Sequence, residues 1–401
     1  VDYLIQNYYL WEIHGGGSTA KGKYNMNLLV VGADFSPYSG GIGTYTREIA
    51  SFLTLKNQVI VLANGISNPK IFDNNSPYRI IRTPSFPVLR HLALFIYLPW
   101  ILRRYHIDAV LHVVWTTALI SHFWHYLIPA PYFVSVHGSE FHDDTLTWRR
   151  RLKGYLRKWR LLALQKSKGI FPVSNYSARL VISLGVERER IEVISNGVDT
   201  KRFKPSANYK NPDEQKKLLT VARLDLHKGH DRVLEALAIL KAQGITPQYI
   251  IVGQGDEEIR LKKMTQTLGL ENQVEFTGFI SGNQLPPMYN SCDIYVMASR
   301  EIPGRLDLIE GFGISFLEAG ASAMPVVAGD SGGVSDAVRN GKTGILVNPD
   351  KSDDIASAIK RLLIDEELAR RLGNEGRRWT ETQMSWEQVA ERLVNSIQRM
   401  A

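Results

Sequence analysis

Short apolar runs recur along this chain, separated by segments long enough to form helices. In the first half they occupy residues 28–33 (LLVVGA), 59–63, 109–114, 132–137 and 170–174. In the second half they return at 218–224 (LLTVARL), 249–252, 274–277, 294–298, 325–328 and 344–347. Apolar runs alternating with helical segments predict parallel sheets in α/β layers. Between the halves, the polar, lysine-rich, proline-punctuated stretch 201–217 reads as a linker. The pattern therefore predicts two doubly wound domains, 26–200 and 218–385, followed by a last helix, 386–401. Residues 1–25 contain GGGS and precede the first clean strand pattern at Met26, so they read as a leader or an expression-derived segment. They lack the basic start, apolar centre and small-residue cleavage site of a signal peptide.

Composition agrees with this division. A chain of 401 residues exceeds what one core usually supports, and 44% hydrophobic with 22% charged residues suits an ordinary soluble globular protein. The single cysteine, Cys292, excludes an intramolecular disulfide framework and a multi-cysteine metal site, and reads as a small core residue in a reducing compartment. A net charge of +8 favours an anionic partner: nucleic acid, a phosphorylated small molecule or an anionic membrane.

Two segments of the first half concentrate that choice. Residues 86–100 (FPVLRHLALFIYLPW) are apolar but too short to span a bilayer and carry Pro99, so they predict a buried or interfacial helix. From 145 to 186 there is no acid, while Arg149, Arg150, Arg151, Lys153, Arg157, Lys158 and Arg160 crowd one stretch with Trp148, Leu152, Tyr155, Leu156 and Trp159 at helical spacing. A basic amphipathic helix with tryptophans suits an anionic membrane interface; a helix packed on the core and a nucleic-acid contact are the alternatives.

Candidate chemistry gathers at predicted strand ends, where open parallel sheets bind ligands. Gly40, Gly41 and Gly43 open a helix after the first strand and could turn amides toward a phosphate or sugar. His137 ends the 132–137 run. In the second domain Arg223 ends a strand, and Lys228 and Gly229 lead into a helix; a guanidinium and an ammonium there can hold a diphosphate. The stretch 310–318 (EGFGISFLE) joins a glycine turn to a helix start, with Glu310 and Glu318 about 12 Å apart if helical throughout. That spacing suits two parts of one long ligand and not a hydrolase pair at roughly 5–9.5 Å. His122 and His125 share a helical face without a neighbouring acid or cysteine and read as packing or surface residues.

Arg223 with Lys228 and Gly229, the acid, seven residues, acid stretch, Gly40 and Gly41, His137 and Gly138, and Ser331, Gly332 and Gly333 together resemble glycosyltransferase family 4, retaining enzymes of the two-Rossmann-domain GT-B fold. The likeness covers nearly everything after Met26. It implies that the last helix returns to the N-terminal domain, that the N-terminal domain takes the acceptor and that the C-terminal domain takes a nucleotide sugar. Arg223 and Lys228 would hold the donor diphosphate, Glu318 the ribose, and Glu310 with the amides of Gly311, Phe312 and Gly313 the transferred sugar. His137 would lie near the anomeric carbon, making His137, Arg223, Lys228 and Glu310 the implied catalytic set. Gly40 and Gly41 would face phosphates and acceptor, and Gly253, Gly278 and Phe279 would complete the donor site around the base. Where the family's last loop usually ends in Glu, this chain has Asp336. The run from Arg300 to EGFGISFLEA looks most like bacterial phosphatidylinositol mannosyltransferases. That implies GDP-mannose as co-substrate and a lipid or lipid-linked glycan as acceptor. Trp148, Arg149, Arg150, Arg151 and Trp159 would then meet the membrane, and the enzyme would work peripherally on the cytoplasmic face of the cell membrane.

The chain contains no Asp-X-Asp triplet, which agrees with transfer that needs no metal or other cofactor. A UDP-sugar transferase with a soluble acceptor is the nearest alternative. A nicotinamide oxidoreductase lacks its G-x-G-x-x-G after the first strand. A basic nucleic-acid-binding protein would explain the charge but not the acids and glycines at repeated strand ends, and no nucleic acid is expected as a partner.

Overall fold

The structure is a computed structural model describing residues 25–32, 35, 40–65, 70–84, 87–138, 150–206, 215–305 and 308–401. It contains two six-stranded sheets in which every pairing is parallel. The first consists of β1 (Asn27–Gly32), β2 (Gln58–Ala63), β3 (Arg79–Arg82), β4 (Ala109–His112), β5 (Tyr132–Val136) and β6 (Gly169–Pro172), in the order β3-β2-β1-β4-β5-β6. The second consists of β7 (Lys217–Val221), β8 (Gln248–Val252), β9 (Val274–Gly278), β10 (Ile294–Met297), β11 (Val326–Gly329) and β12 (Ile345–Val347), in the order β12-β11-β10-β7-β8-β9. In both sheets the strand order reverses beside the first strand, β1 against β4 and β7 against β10. The carboxyl ends there form the crevice in which doubly wound sheets bind ligands.

Of these strands, β3 escapes a reading of apolar runs. Its sequence is Arg-Ile-Ile-Arg at the sheet edge, and Arg82 turns back to bond both Asp73 carboxylate oxygens and the Asn64 carbonyl. Two apolar residues between cations are too short a signal, although an edge strand needs no more.

Among the described residues six helices accompany the first sheet: α1 (Gly41–Leu53), α2 (Lys70–Asn74), α3 (Pro87–Arg104), α4 (Trp115–Trp124), α5 (Arg150–Lys166) and α6 (Asn175–Ser183). The helix expected at 86–100 is both buried and outward-facing. Leu94, Leu98, Ile101 and Leu102 enter the core, while Leu92, Ile96 and Trp100 remain exposed. The second sheet carries α7 (His230–Ala242), α8 (Glu258–Thr267), α9 (Leu285–Ser291), α10 (Ile314–Ala321), α11 (Val334–Ala337), α12 (Ser352–Ile364) and α13 (Glu366–Gln383).

The last helix, α14 (Trp386–Met400), opens on a capping box in which Ser385 and Gln388 exchange side-chain and backbone bonds. Such a box satisfies two otherwise orphaned donors of the first turn. The buried side chains of α14, Trp386, Val389, Leu393 and Ile397, join Tyr45, Ile49 and Leu53 of α1 in the core of the first domain. The chain thus returns to where it began.

The stretch expected to be a free linker is held at its start. Phe203 is buried in the second domain's core with its ring edge-on to Tyr289 at 5.6 Å. Arg377 Nη1 of α13 donates to the carbonyls of Thr200, Phe203 and Ala321 at 3.0, 2.8 and 2.7 Å. An aromatic anchor inside a polar run is easily misread as spacer. Cys292 is buried in the second domain's core, as expected of a small core residue.

Candidate active site

The site centres on Lys228 and Glu310. Lys228 ends a one-turn helix after β7, and Arg300 holds this turn from behind by donating its amide to the His227 carbonyl at 2.8 Å. The Arg300 guanidinium makes two 2.8 Å bonds to the two oxygens of Asp231 in the first turn of α7. Burial alone would raise the Asp231 carboxyl, but this paired donation holds it below the ordinary carboxylate range. From this braced turn Lys228 Nζ reaches Glu310 Oε2 at 2.6 Å, with only 15% and 10% of the two side chains exposed. Arg223 behaves differently. Its guanidinium lies 2.8 Å from Asp225 and is 71% exposed, so it stands at the mouth and not beside the buried pair.

The 310–318 stretch is a turn followed by a helix, as its glycines and acids predict. Gly313 has φ 92°, a left-handed conformation that turns the chain into α10. The Phe312 ring is buried in the second core, leaving its backbone as the part that can face a ligand. Gly311 has no room for a side chain, because a Cβ there would lie 1.9 Å from the carbonyl oxygen of His137 in the first domain. Gly333 donates its amide to the Glu310 carbonyl at 2.8 Å, and a Cβ on it would strike Gly311 and Ser174. The two domains therefore meet backbone to backbone at the His137–Gly311 contact. At the far end of the stretch, Glu318 Oε2 accepts from the Tyr289 hydroxyl at 2.7 Å.

His137 is buried at this contact, its ring edge-on to Tyr45 at 4.8 Å. Burial pushes its pKa down to about 4, against the raising effect of a hydrogen bond that the ring donates to the Val113 carbonyl, so the imidazole is neutral at pH 7. Gly40 and Gly41 are exposed at the start of α1, and a Cβ on either would meet nothing within 4 Å. Packing alone does not demand glycine at those two positions. Gly253, expected among the donor contacts, gives its amide to the Gly278 carbonyl at 2.9 Å, so it shapes the wall without offering a donor. Phe279 stands 63% exposed beside Gly278.

Asp336 touches neither Lys228 nor Glu310. Its carboxylate accepts from the backbone and side-chain nitrogens of Asn175 at 2.9 and 2.5 Å, tying α11 to the start of α6 across the domains. Asp336→Ala is expected to loosen this contact by about 1 kcal/mol, since the pair is partly exposed. Small-angle X-ray scattering would register a larger radius of gyration, and an unchanged scattering profile would count against a latch.

Among the described residues no group of three or more His, Cys, Asp and Glu is placed to hold a metal ion. His122 is buried, with its Nδ1 3.3 Å from the Tyr132 hydroxyl. Trp148 and Arg149 lie outside the described residues. Arg150 and Arg151 fall in the first turn of α5, and Trp159 is exposed further along it. Sequence reasoning missed Asp231, Arg300, Tyr289 and Asn175. Only Arg300, a cation three positions past the end of the apolar strand β10, gives a local signal.

Comparison with known proteins agrees with this geometry. The family model described as Glycosyltransferase Family 4 matches residues 39–202, and that described as Glycosyl transferases group 1 matches residues 201–379. The chain belongs to glycosyltransferase family 4. It is a transferase of the GT-B fold. Among curated relatives of this family 4 enzyme is the GDP-mannose-dependent alpha-(1-6)-phosphatidylinositol monomannoside mannosyltransferase of Mycobacterium tuberculosis, 28% identical over 92% of this chain and 97% of the relative. A GDP-mannose-dependent monoacylated alpha-(1-6)-phosphatidylinositol monomannoside mannosyltransferase of Corynebacterium glutamicum is 29% identical over 93% of this chain and 98% of the relative. Among solved structures, Anabaena HepE in complex with UDP superposes with TM-score 0.75 at 19% identity over 93% of this chain and all of that one. Sucrose-phosphate synthase of Thermosynechococcus elongatus gives 0.74 at 21% identity, over 94% and 99%. These structural likenesses speak for the fold.

Proposed function

We propose that this family 4 enzyme moves a mannosyl residue from GDP-mannose to a hydroxyl of a lipid or lipid-linked glycan, with retention and without a metal ion. The observation that carries the reading is the buried Lys228–Glu310 pair at the turn leading into α10, in the crevice between two doubly wound domains. The mannosyltransferase names of the relatives favour mannose and GDP.

Lys228 and Glu310 satisfy each other across 2.6 Å. When a sugar diphosphate enters, Lys228 turns to the phosphate and frees Glu310 to accept from sugar hydroxyls, with the backbone of residues 311–313 beside it. Cleavage of the sugar–phosphate bond develops negative charge on the leaving diphosphate, which Lys228, Arg223 at the mouth and the start of α10 stabilise. The acceptor hydroxyl attacks from the face the phosphate leaves, and its proton passes to the departing phosphate. Neutral His137 lies beside this centre as a wall and gives no charge. Glu318 holds the ribose. Gly40 and Gly41, with space above them, face the phosphates and acceptor. A donor panel tests the assignment: GDP-mannose is expected to be turned over faster than UDP-sugars, and the opposite preference would favour the UDP-sugar alternative with a soluble acceptor.

The lipid part of the proposal draws on one face of the first domain. Among the described residues no helix is long and apolar enough to cross a membrane. Leu92, Ile96 and Trp100 form an exposed stripe along α3, with exposed Phe123 of α4, Tyr126 and Leu127 beyond it, and Trp159 of α5. The rings of Phe95 and Phe123, 4.9 Å apart, join α3 to α4. Arg103, Arg104 and Lys158 are exposed on the same helices. Aromatic and aliphatic residues with cations suit an anionic bilayer surface at the inner face of the cell membrane, each cation contributing about 1 kcal/mol. The protein is expected to float with anionic vesicles at low salt. Charge-neutralising Arg149, Arg150 and Arg151, or Ile96→Glu with Trp100→Glu, should reduce the floated fraction by about tenfold. Unchanged flotation in both variants would favour a soluble acceptor.

A further inference from the structure

The nine residues from Glu310 to Glu318 end on a carboxylate whose surroundings the donor reading leaves unused. Glu318 lies on the second turn of α10, half-buried. Its Oε2 accepts from Tyr289, a residue of α9 with no exposed surface. The Tyr289 ring has little freedom: Phe203 packs edge-on at 5.6 Å, and Tyr295 stacks at 5.9 Å with an interplanar angle of 25°. Tyr295 completes the same arrangement by donating to Ser315 Oγ at 2.7 Å in the first turn of α10. Two buried phenols thus reach one short helix, one at its start and one at the acid. A phenol has one proton to give, and Tyr289 directs it at Glu318, with the Ser315 carbonyl a more distant 3.4 Å alternative.

We propose that Tyr289 is a positioning residue for the donor nucleotide, orienting the Glu318 carboxylate toward the ribose diol. The inference rests on the donor reading above. A carboxylate has about four acceptor positions, and Tyr289 occupies one, leaving positions on both oxygens for two ribose hydroxyls. Ionisation at this place needs support. Burial raises the Glu318 carboxyl above its ordinary range, and the Tyr289 hydroxyl draws it part of the way back. The phenol stays protonated, because burial first and the neighbouring Glu318 second push its pKa well up. It therefore remains a donor wherever the enzyme works.

The test is Tyr289→Phe, which removes the hydroxyl and keeps the ring, measured by calorimetric binding of GDP and of 2′,3′-dideoxy-GDP. GDP affinity is expected to fall by about 10- to 100-fold, the span of a hydrogen bond to a charged group. Dideoxy-GDP affinity stays within about twofold, because it has no diol for Glu318 to hold. Turnover at saturating donor changes little, so the effect falls on KM. Equal weakening of both nucleotides would mean that Tyr289 merely supports the fold, and no weakening would remove it from the site; either overturns the proposal. The wild-type protein gives a second arm that needs no variant. The ratio of GDP to dideoxy-GDP affinity should fall as pH is lowered through the raised Glu318 pKa, and a ratio independent of pH overturns the proposal. Failure of the wild-type protein to bind GDP is a different result, and it overturns the donor reading and this inference together.

Discussion

Replacing Lys228 by alanine is expected to lower turnover of GDP-mannose by about 10²-fold or more, the usual loss when one preorganised donor to developing charge is removed. The same change leaves the Glu310 carboxylate, 10% exposed, without its 2.6 Å partner. Removing one member of a buried ion pair costs about 3–5 kcal/mol, so the melting temperature should fall as well. The two effects separate in a second variant. Lys228→Met combined with Glu310→Leu replaces the pair by apolar groups of similar volume, which is often neutral for stability. Melting should recover while turnover does not. Near-normal transfer by Lys228→Ala would remove this lysine from the reaction.

A methyl group at position 311 is expected to be nearly as damaging, for a different reason. In Gly311→Ala the new Cβ would lie 1.9 Å from the His137 carbonyl oxygen, far inside any real contact, and the obstacle is backbone on both sides. Relief requires the domains to part or the turn carrying Glu310 to shift. Displacing reacting groups by about 1 Å can cost on the order of 10²-fold in rate. GDP binding should stay within a few-fold of wild type, because Lys228, Glu318 and Tyr289 all belong to the second domain. Steady-state transfer and calorimetric GDP binding on the same variant check this, and normal turnover would show that the His137–Gly311 approach is not required for transfer.

Most of the sheet framework is legible in the chain because buried parallel strands are continuous apolar runs, although β9 (VEFTG), at a sheet edge, is only partly buried and alternates apolar with polar residues. β3 is not legible, since an edge strand needs only Ile80 and Ile81 between two arginines. Glu310, Gly313 and Glu318 are legible because a glycine turn between two acids and a helix start is unusual whatever surrounds it. Partners set by tertiary structure are not. Nothing local pairs Arg300 with Asp231, 69 positions away, or Tyr289 with Glu318, 29 positions away. Gly253 likewise gives its amide to the Gly278 carbonyl, a partner that no local pattern announces. Asp336 reads as a shortened family glutamate, yet its carboxylate meets Asn175 of the other domain at a distance that only the folded chain defines.

The return of α14 to the first domain has a consequence for how the protein is made. Tyr45, Ile49 and Leu53 are synthesised early, but Trp386, Val389, Leu393 and Ile397, which cover them, emerge more than three hundred residues later. Domains generally fold in order of emergence, at roughly 5–20 residues per second during synthesis. Here the first domain waits with an apolar groove open while the whole second domain is made. Synthesis of α14, and not completion of the first sheet, is therefore the event that closes its core. A nascent chain stalled before Trp386 presents the cell with a greasy, chaperone-binding intermediate in place of a finished amino-terminal half.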